Sequence, residues 1–174
     1  MLGSAEGVFD EAQAALTLFE PDAVFVVNDT IPHWPGPIDY ICTLHPEKLN
    51  DWLRSRASAG HPMGAQVWSY KRTNGPRSVN YPGVQKLTTD WGGSSGLFAT
   101  RVALQEGFRR IVLAGVPLAA GSGHIVRQKR WTAALGFQRG WKKNQHVLQQ
   151  YVRSMSGWTK ELLGAPDRAW LTGQ

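Results

Sequence analysis

The sequence predicts an α/β protein of Rossmann-like type, a three-layer sandwich with a mainly parallel sheet and a C-terminal helical extension. Three observations carry that reading. The runs Ala23-Val24-Phe25-Val26-Val27 and Ile111-Val112-Leu113-Ala114 are continuously apolar rather than alternating, the pattern of strands buried on both faces beneath covering helices. Apolar residues at helical spacing lie between such runs. A glycine- and serine-rich turn leads into a helix and then a buried strand, which is half of a βαβ crossover.

The elements follow in order. Val8, Ala12, Ala15, Leu16 and Phe19 recur at helical spacing, with Glu6, Asp10 and Glu11 near the start, where the helix dipole favours acids. A strand at 23–27 stops at Asn28-Asp29-Thr30. Residues 31–37 carry three prolines and a glycine and form a loop. A second strand covers 38–44. His45-Pro46 opens a helix, with Pro46 at the favoured first position and Leu49, Trp52 and Leu53 as its stripe; Gly60 closes it. Residues 65–70 are a third strand and 71–85 a long polar loop. Thr88-Thr89-Asp90-Trp91-Gly92-Gly93-Ser94-Ser95-Gly96 is a turn, 97–107 a helix ended by Gly107, and 110–115 a core strand. Mostly helix is expected from His124 to about Tyr151, broken or kinked near Gly136 and Gly140, with a short helix at 158–163. The expected division is a nucleotide-binding core at 1–123 and a basic helical extension at 124–174 packed on it.

A chain of 174 residues is one domain, large enough to bury roughly 70% of its unfolded surface without staples. Cys42 is the only cysteine, so no intrachain disulfide or cysteine metal cluster forms, and a reducing, cytoplasmic setting is expected. No apolar run reaches the roughly 18 residues of a membrane span. The net charge of +6 is uneven. Residues 1–123 hold ten Lys/Arg against eleven Asp/Glu, whereas 124–160 hold eight Lys/Arg and no acid. That block (Arg127, Lys129, Arg130, Arg139, Lys142, Lys143, Arg153, Lys160) attracts phosphates or forms a solvated face.

Four constellations are candidates for chemistry. Gly93, Ser94, Ser95 and Gly96 sit where a helix begins; its unpaired amides and partial positive charge, with hydroxyls added, make a phosphate cradle. The plain alternative is an N-capped tight turn. No Gly-Lys-Ser/Thr follows, so the turn is not a P-loop. Asn28 and Asp29 end a strand, the edge where ligands collect in open α/β sheets, and can hold a ribose, a base edge or a metal-bound phosphate; a simple turn is the alternative. His45 and His124 follow strands and are the candidate general acid or base, a histidine's protonation changing near neutral pH; each is otherwise a loop or helix-start histidine. No hydrolase triad, H-E-x-x-H or cysteine ligand set is present. Asn28 and Asp29 are the residues that would hold the nucleoside or a metal; the cofactor is not named by the sequence, a divalent cation such as magnesium being one candidate.

The segment Asp90-Trp91-Gly92-Gly93-Ser94-Ser95-Gly96-Leu97-Phe98-Ala99, followed by Ala103-Leu104, Gly107-Phe108 and Arg110-Ile111-Val112-Leu113-Ala114-Gly115-Val116, resembles a unit shared by two groups. These are the MptE-like 6-hydroxymethylpterin pyrophosphokinases and the bacterial sialyltransferases with a Rossmann-like nucleotide-sugar domain. Leu2-Gly3-Ser4-Ala5 is similar to the end of their first-strand glycine turn, and Val26-Val27-Asn28-Asp29 to their strand ending in Asn. The resemblance covers residues 2–120 and implies that Gly3, Ser4, Asn28, Ser94, Ser95 and Gly96 face a nucleotide or diphosphate; His124 is a loose positional match to a catalytic histidine. The chain departs from the pattern in its vestigial first strand, in Pro117 in place of an acid, and in His45 where an Asp is usual. Residues 153–164 resemble small proteins of phages and prophages.

The function these residues predict is binding of a nucleotide or nucleotide-sugar, with transfer of a phosphoryl, diphosphoryl or glycosyl group. The alternatives are a phage-type protein that sequesters the nucleotide without turning it over, or nucleic-acid binding through segment 124–160, where Trp131, Trp141 and Tyr151 interleave with cations. No membrane partner is expected; an oligomer is compatible.

Overall fold

The computed structural model describes residues 1–70, 83–87, 91–92, 94–126 and 134–173. Most of the expected 71–85 loop, Thr88 to Asp90 of the turn, Gly93, and Arg127, Lys129, Arg130 and Trp131 lie outside the described residues.

Five elements open the chain: α1 (Val8–Leu16), β1 (Phe25–Val27), β2 (Tyr40–Thr43), α2 (Leu49–Ser58) and β3 (Gln66–Tyr70). Then come β4 (Val84–Leu87), α3 (Ser95–Gln105), β5 (Ile111–Leu113), α4 (Ala134–Lys143), α5 (Gln145–Tyr151), β6 (Val152–Ser154), α6 (Gly157–Leu163) and α7 (Arg168–Thr172). Strands β1 to β4 pair in sequence order and β5 pairs with β6, all parallel. Leu2 forms parallel bridges to both Val26 and Ala114. The two ladders therefore join through it in the order β6-β5-Leu2-β1-β2-β3-β4, and the first three residues act as a vestigial central strand.

Strand periodicity divides the core into two layers. Phe25, Val27, Cys42, Trp68, Ile111, Leu113 and Val152 pack with Leu97, Phe98 and Val102 of α3, Trp141 of α4, Leu148 of α5 and Leu163 of α6. Their neighbours Leu2, Val26, Ile41, Val67 and Ala114 pack with Val8 and Ala12 of α1 and Leu49 and Trp52 of α2. Both sheet faces are covered, which explains why β1 and β5 read as unbroken apolar runs.

Three expectations are corrected. Val84 and Gln85 belong to β4, not to a loop. Segment 124–174 is not only helical, because β6 extends the sheet beside β5; Trp141, Leu148, Val152 and Leu163 share the core of Phe98, so no break in the core marks residue 123. Helix α4 runs unbroken through Gly136 and Gly140. Gly140 is needed for close approach rather than for a bend: a Cβ there would lie 2.9 Å from the Trp91 carbonyl oxygen and 3.2 Å from Gly92 Cα.

The proline-rich loop after β1 is held from inside. Arg56 of α2 is 1% exposed. Its guanidinium donates to the carbonyls of Ile31, Trp34, Gly36 and Pro62. Four oriented carbonyl dipoles thus solvate a buried cation, and burial lowers its pKa.

Candidate functional site

The sheet order reverses at Leu2: the chain runs outward through β1 to β4, then returns by α3 to β5 on the other side. In doubly wound sheets the crevice beyond the carboxyl ends of the strands at such a point is where ligands bind. Here Gly3, Ser4, Asn28, His45, Ser94, Ser95, Gly96 and His124 line one cavity of about 170 Å³ at that place, together with Gly115, Val116, Gly123 and the Phe137 ring.

The first wall is the N-terminal turn and the end of β1. Ser4 Oγ donates to the Val27 carbonyl at 3.0 Å, and Thr30 Oγ1 donates to the Gly3 carbonyl. Gly3 has no room for a side chain, since a Cβ would fall 2.1 Å from the Gly115 oxygen. Asn28 adopts φ +50°, a left-handed conformation that asparagine tolerates better than most residues. Its Oδ1 accepts from Thr43 Oγ1 at 2.9 Å, and that hydroxyl in turn accepts from the His45 amide at 2.8 Å. Glu47 Oε1 lies 3.1 Å from His45 Nδ1, which favours the tautomer with its lone pair at Nε2.

The opposite wall is the start of α3. Ser94 is the N-cap: its Oγ accepts from Leu97 N at 3.1 Å and from Trp141 Nε1 at 3.2 Å. Both lone pairs are used, and the residue is 3% exposed. Ser94 therefore ties α4 to α3, and its own O–H is left as a donor. Ser95 Oγ accepts from Leu44 N at 3.3 Å, which leaves its O–H as a donor. Among the described residues the amides of Ser95 and Gly96 have no acceptor, as expected for the first positions of an α-helix. Gly96 brings that backbone against Val116, whose Cγ1 would be 3.2 Å from a Cβ.

The third wall is the strap after β5. Glu6 N donates to the Gly123 carbonyl at 3.1 Å and Ile125 N to the Ser4 carbonyl at 3.0 Å, which fixes His124 over the cavity. Its Nε2 lies 3.3 Å from Asp29 Oδ2. Asp29 Oδ1 accepts from Trp52 Nε1 at 2.9 Å. Both carboxylate oxygens of Asp29 are therefore engaged by the protein, so it stands behind His124 rather than in the lining.

Of the residues singled out in the sequence, the structure brings eight into one lining, sets Asp29 behind them, and leaves Gly93 outside the described residues. Sequence reasoning missed Thr43, Trp52, Val116 and Phe137 and took Trp141 for a stacking ring; nothing in the sequence distinguishes them from core residues, because their roles depend on which elements meet. Among the described residues no three His, Cys, Asp or Glu side chains gather into a group that could hold a metal ion. In the basic segment Trp141 is fully buried, and Arg109 lies over the Tyr151 ring at 5.5 Å and Lys142 over Trp158 at 5.8 Å. Neither Trp141 nor Tyr151 offers a bare ring for stacking a base. Among the described residues no helix is long and apolar enough to cross a membrane. Compared with protein-family models, curated proteins and solved structures, the chain matches none.

Proposed function

We propose that this protein binds a phosphorylated small molecule, a nucleotide or nucleotide-sugar, with a phosphate on the Ser95 and Gly96 amides, and transfers a phosphoryl, diphosphoryl or glycosyl group from it. One observation carries the reading. Segments far apart in sequence (Gly3-Ser4, Asn28, His45, Ser95-Gly96, His124) converge on one cavity at the point where the sheet order reverses. Among the described residues the Ser95 and Gly96 amides of an 11-residue helix are left without acceptors there.

The chemistry follows from the donors. The helix start supplies about half a positive charge, the Ser95 hydroxyl one more donor, and the Asn28 side-chain amide donors for a ribose hydroxyl or base edge. Arg127, Lys129 and Arg130 follow the strap in sequence and are the cations nearest along the chain that could neutralise further phosphate charge. The lining contributes two histidines, and in a transfer reaction one takes the proton of the attacking hydroxyl or gives one to the leaving group. A cavity of about 170 Å³ is below the roughly 300–1,000 Å³ of sites that enclose whole drug-sized ligands, so it takes a phosphate and sugar while the base extends outward.

Calorimetric titration with a panel of nucleotides and nucleotide-sugars tests this. Micromolar binding is expected for at least one of them, weakened tenfold or more, about 1.4 kcal/mol, in Ser95→Ala and Asn28→Ala. No heat from any ligand, or unchanged affinity in both variants, would remove the reading. Incubation followed by recovery of intact ligand would reduce it to binding without transfer.

A further inference from the structure

Three segments meet behind the cavity in a chain of polar contacts that binding alone does not need. Trp52 comes from α2, on the sheet face opposite α3. Asp29 lies in the single turn after β1, and His124 in the strap after β5. The Trp52 indole N–H donates to Asp29 Oδ1 at 2.9 Å, Asp29 Oδ2 lies 3.3 Å from His124 Nε2, and the Val126 amide donates to His124 Nδ1 at 3.3 Å. With Nδ1 acting as an acceptor, the ring proton of the neutral imidazole sits on Nε2, facing the carboxylate. The carboxylate cannot swing away without losing the indole, because Trp52 is itself packed in the core.

We propose that Asp29 and Trp52 are positioning residues for His124, and that His124, through Nδ1, is the proton-transfer group acting on a hydroxyl or phosphate oxygen of the bound molecule. This rests on the reading of the cavity as the ligand site. It replaces the direct ligand contact expected of Asp29 with support for the histidine.

The physical case is that of a carboxylate holding an imidazole in one tautomer and stabilising its protonated form, while the opposite ring nitrogen exchanges the proton. The Val126 N–H donates to that lone pair. A substrate hydroxyl takes its place, passes its proton to Nδ1, and leaves an imidazolium whose charge Asp29 offsets. Glu6 is the other acid beside the strap, with its carboxylate against Gly123. Among the described residues the ion-pair partner of the ring is Asp29. His45 has its own carboxylate, Glu47.

The test is nitrogen-15 spectroscopy of the histidine rings in the ligand-free protein, with calorimetric titration of inorganic pyrophosphate as a separate arm. Wild-type His124, when neutral, is expected in one tautomer with the proton on Nε2. Asp29→Asn, whose amide can donate to Nε2, is expected to move the population to the Nδ1-protonated tautomer, and Trp52→Phe to give a mixture. Acylation of His124 by diethyl pyrocarbonate, referenced to the exposed His33 and His146, is expected to slow by at least about threefold in both variants, because the nucleophilic lone pair moves from Nδ1 to the Nε2 that faces residue 29. If Asp29 only anchored the strap, Asn would keep the tautomer and a loosened strap would acylate faster; either result overturns the proposal. Pyrophosphate heat with an unmoved tautomer sinks the positioning role alone. A moved tautomer without pyrophosphate heat sinks the phosphate reading alone.

Discussion

Replacing Ser94 by alanine removes one oxygen that serves two elements at once. The lost N-cap to Leu97 N costs about 1 kcal/mol. The same substitution orphans the indole N–H of Trp141, a fully buried side chain, at a further 1–3 kcal/mol or so. Ser94→Ala should therefore destabilise by about 2–4 kcal/mol, lowering the melting temperature by roughly 5–15 °C for a chain of this size. Trp141→Phe, which deletes the donor, should cost about 1–3 kcal/mol. In the double variant the orphan no longer exists, so the two losses should fall short of their sum by about 1–2 kcal/mol. Urea unfolding of the four proteins, with the denaturant slope required to stay constant, gives this coupling. A coupling within about 0.5 kcal/mol of zero would refute the view that Ser94 clamps α4 onto α3. Because the Ser95 and Gly96 amides survive, Ser94→Ala should leave ligand affinity within about threefold, under 1 kcal/mol. A large affinity loss in a folded Ser94→Ala protein would mean that the hydroxyl faces the ligand after all.

Two further outcomes follow from buried groups. Arg56→Met should strand four carbonyls that now share one cation and cost about 3–5 kcal/mol in urea unfolding; Arg56→Lys should rescue only part, because an ammonium cannot reach all four, and a methionine variant as stable as wild type would contradict the role. The Cys42 thiol is buried, and its pKa is raised well above the usual 9.0, first by burial and then by the charge of Glu106. Native protein should therefore resist Ellman's reagent. Above pH 9 the unfolded chain loses this proton and the folded chain keeps it, so the stability present below pH 9 should fall as pH rises. The fall should be steeper than in Cys42→Ala by about 1.4 kcal/mol per pH unit; equal slopes would show the thiol ionising in the folded state.

The amino-acid sequence by itself determined the layer architecture and the identity of the turns. Unbroken apolar runs at β1 and β5 required cover on both faces, and the serine-glycine corner could only open a helix, because glycine and serine there favour a cap and a close backbone. Local chemistry of that kind is written in adjacent residues. Strands β4 and β6 were hidden because Val84-Gln85-Lys86-Leu87 and Val152-Arg153-Ser154 are edge strands in the observed order, with polar residues that blur the period. Which donors remain available could not be read at all. Ser94 and Ser95 are neighbours of one type, yet one accepts from an indole 47 residues away and the other from the Leu44 amide 51 residues away. Asp29 looked like a ligand residue until α2 brought Trp52 against one oxygen and the strap brought His124 to the other. Long-range packing made those choices, because a hydrogen bond depends on where its partner stands in space and not on its distance along the chain.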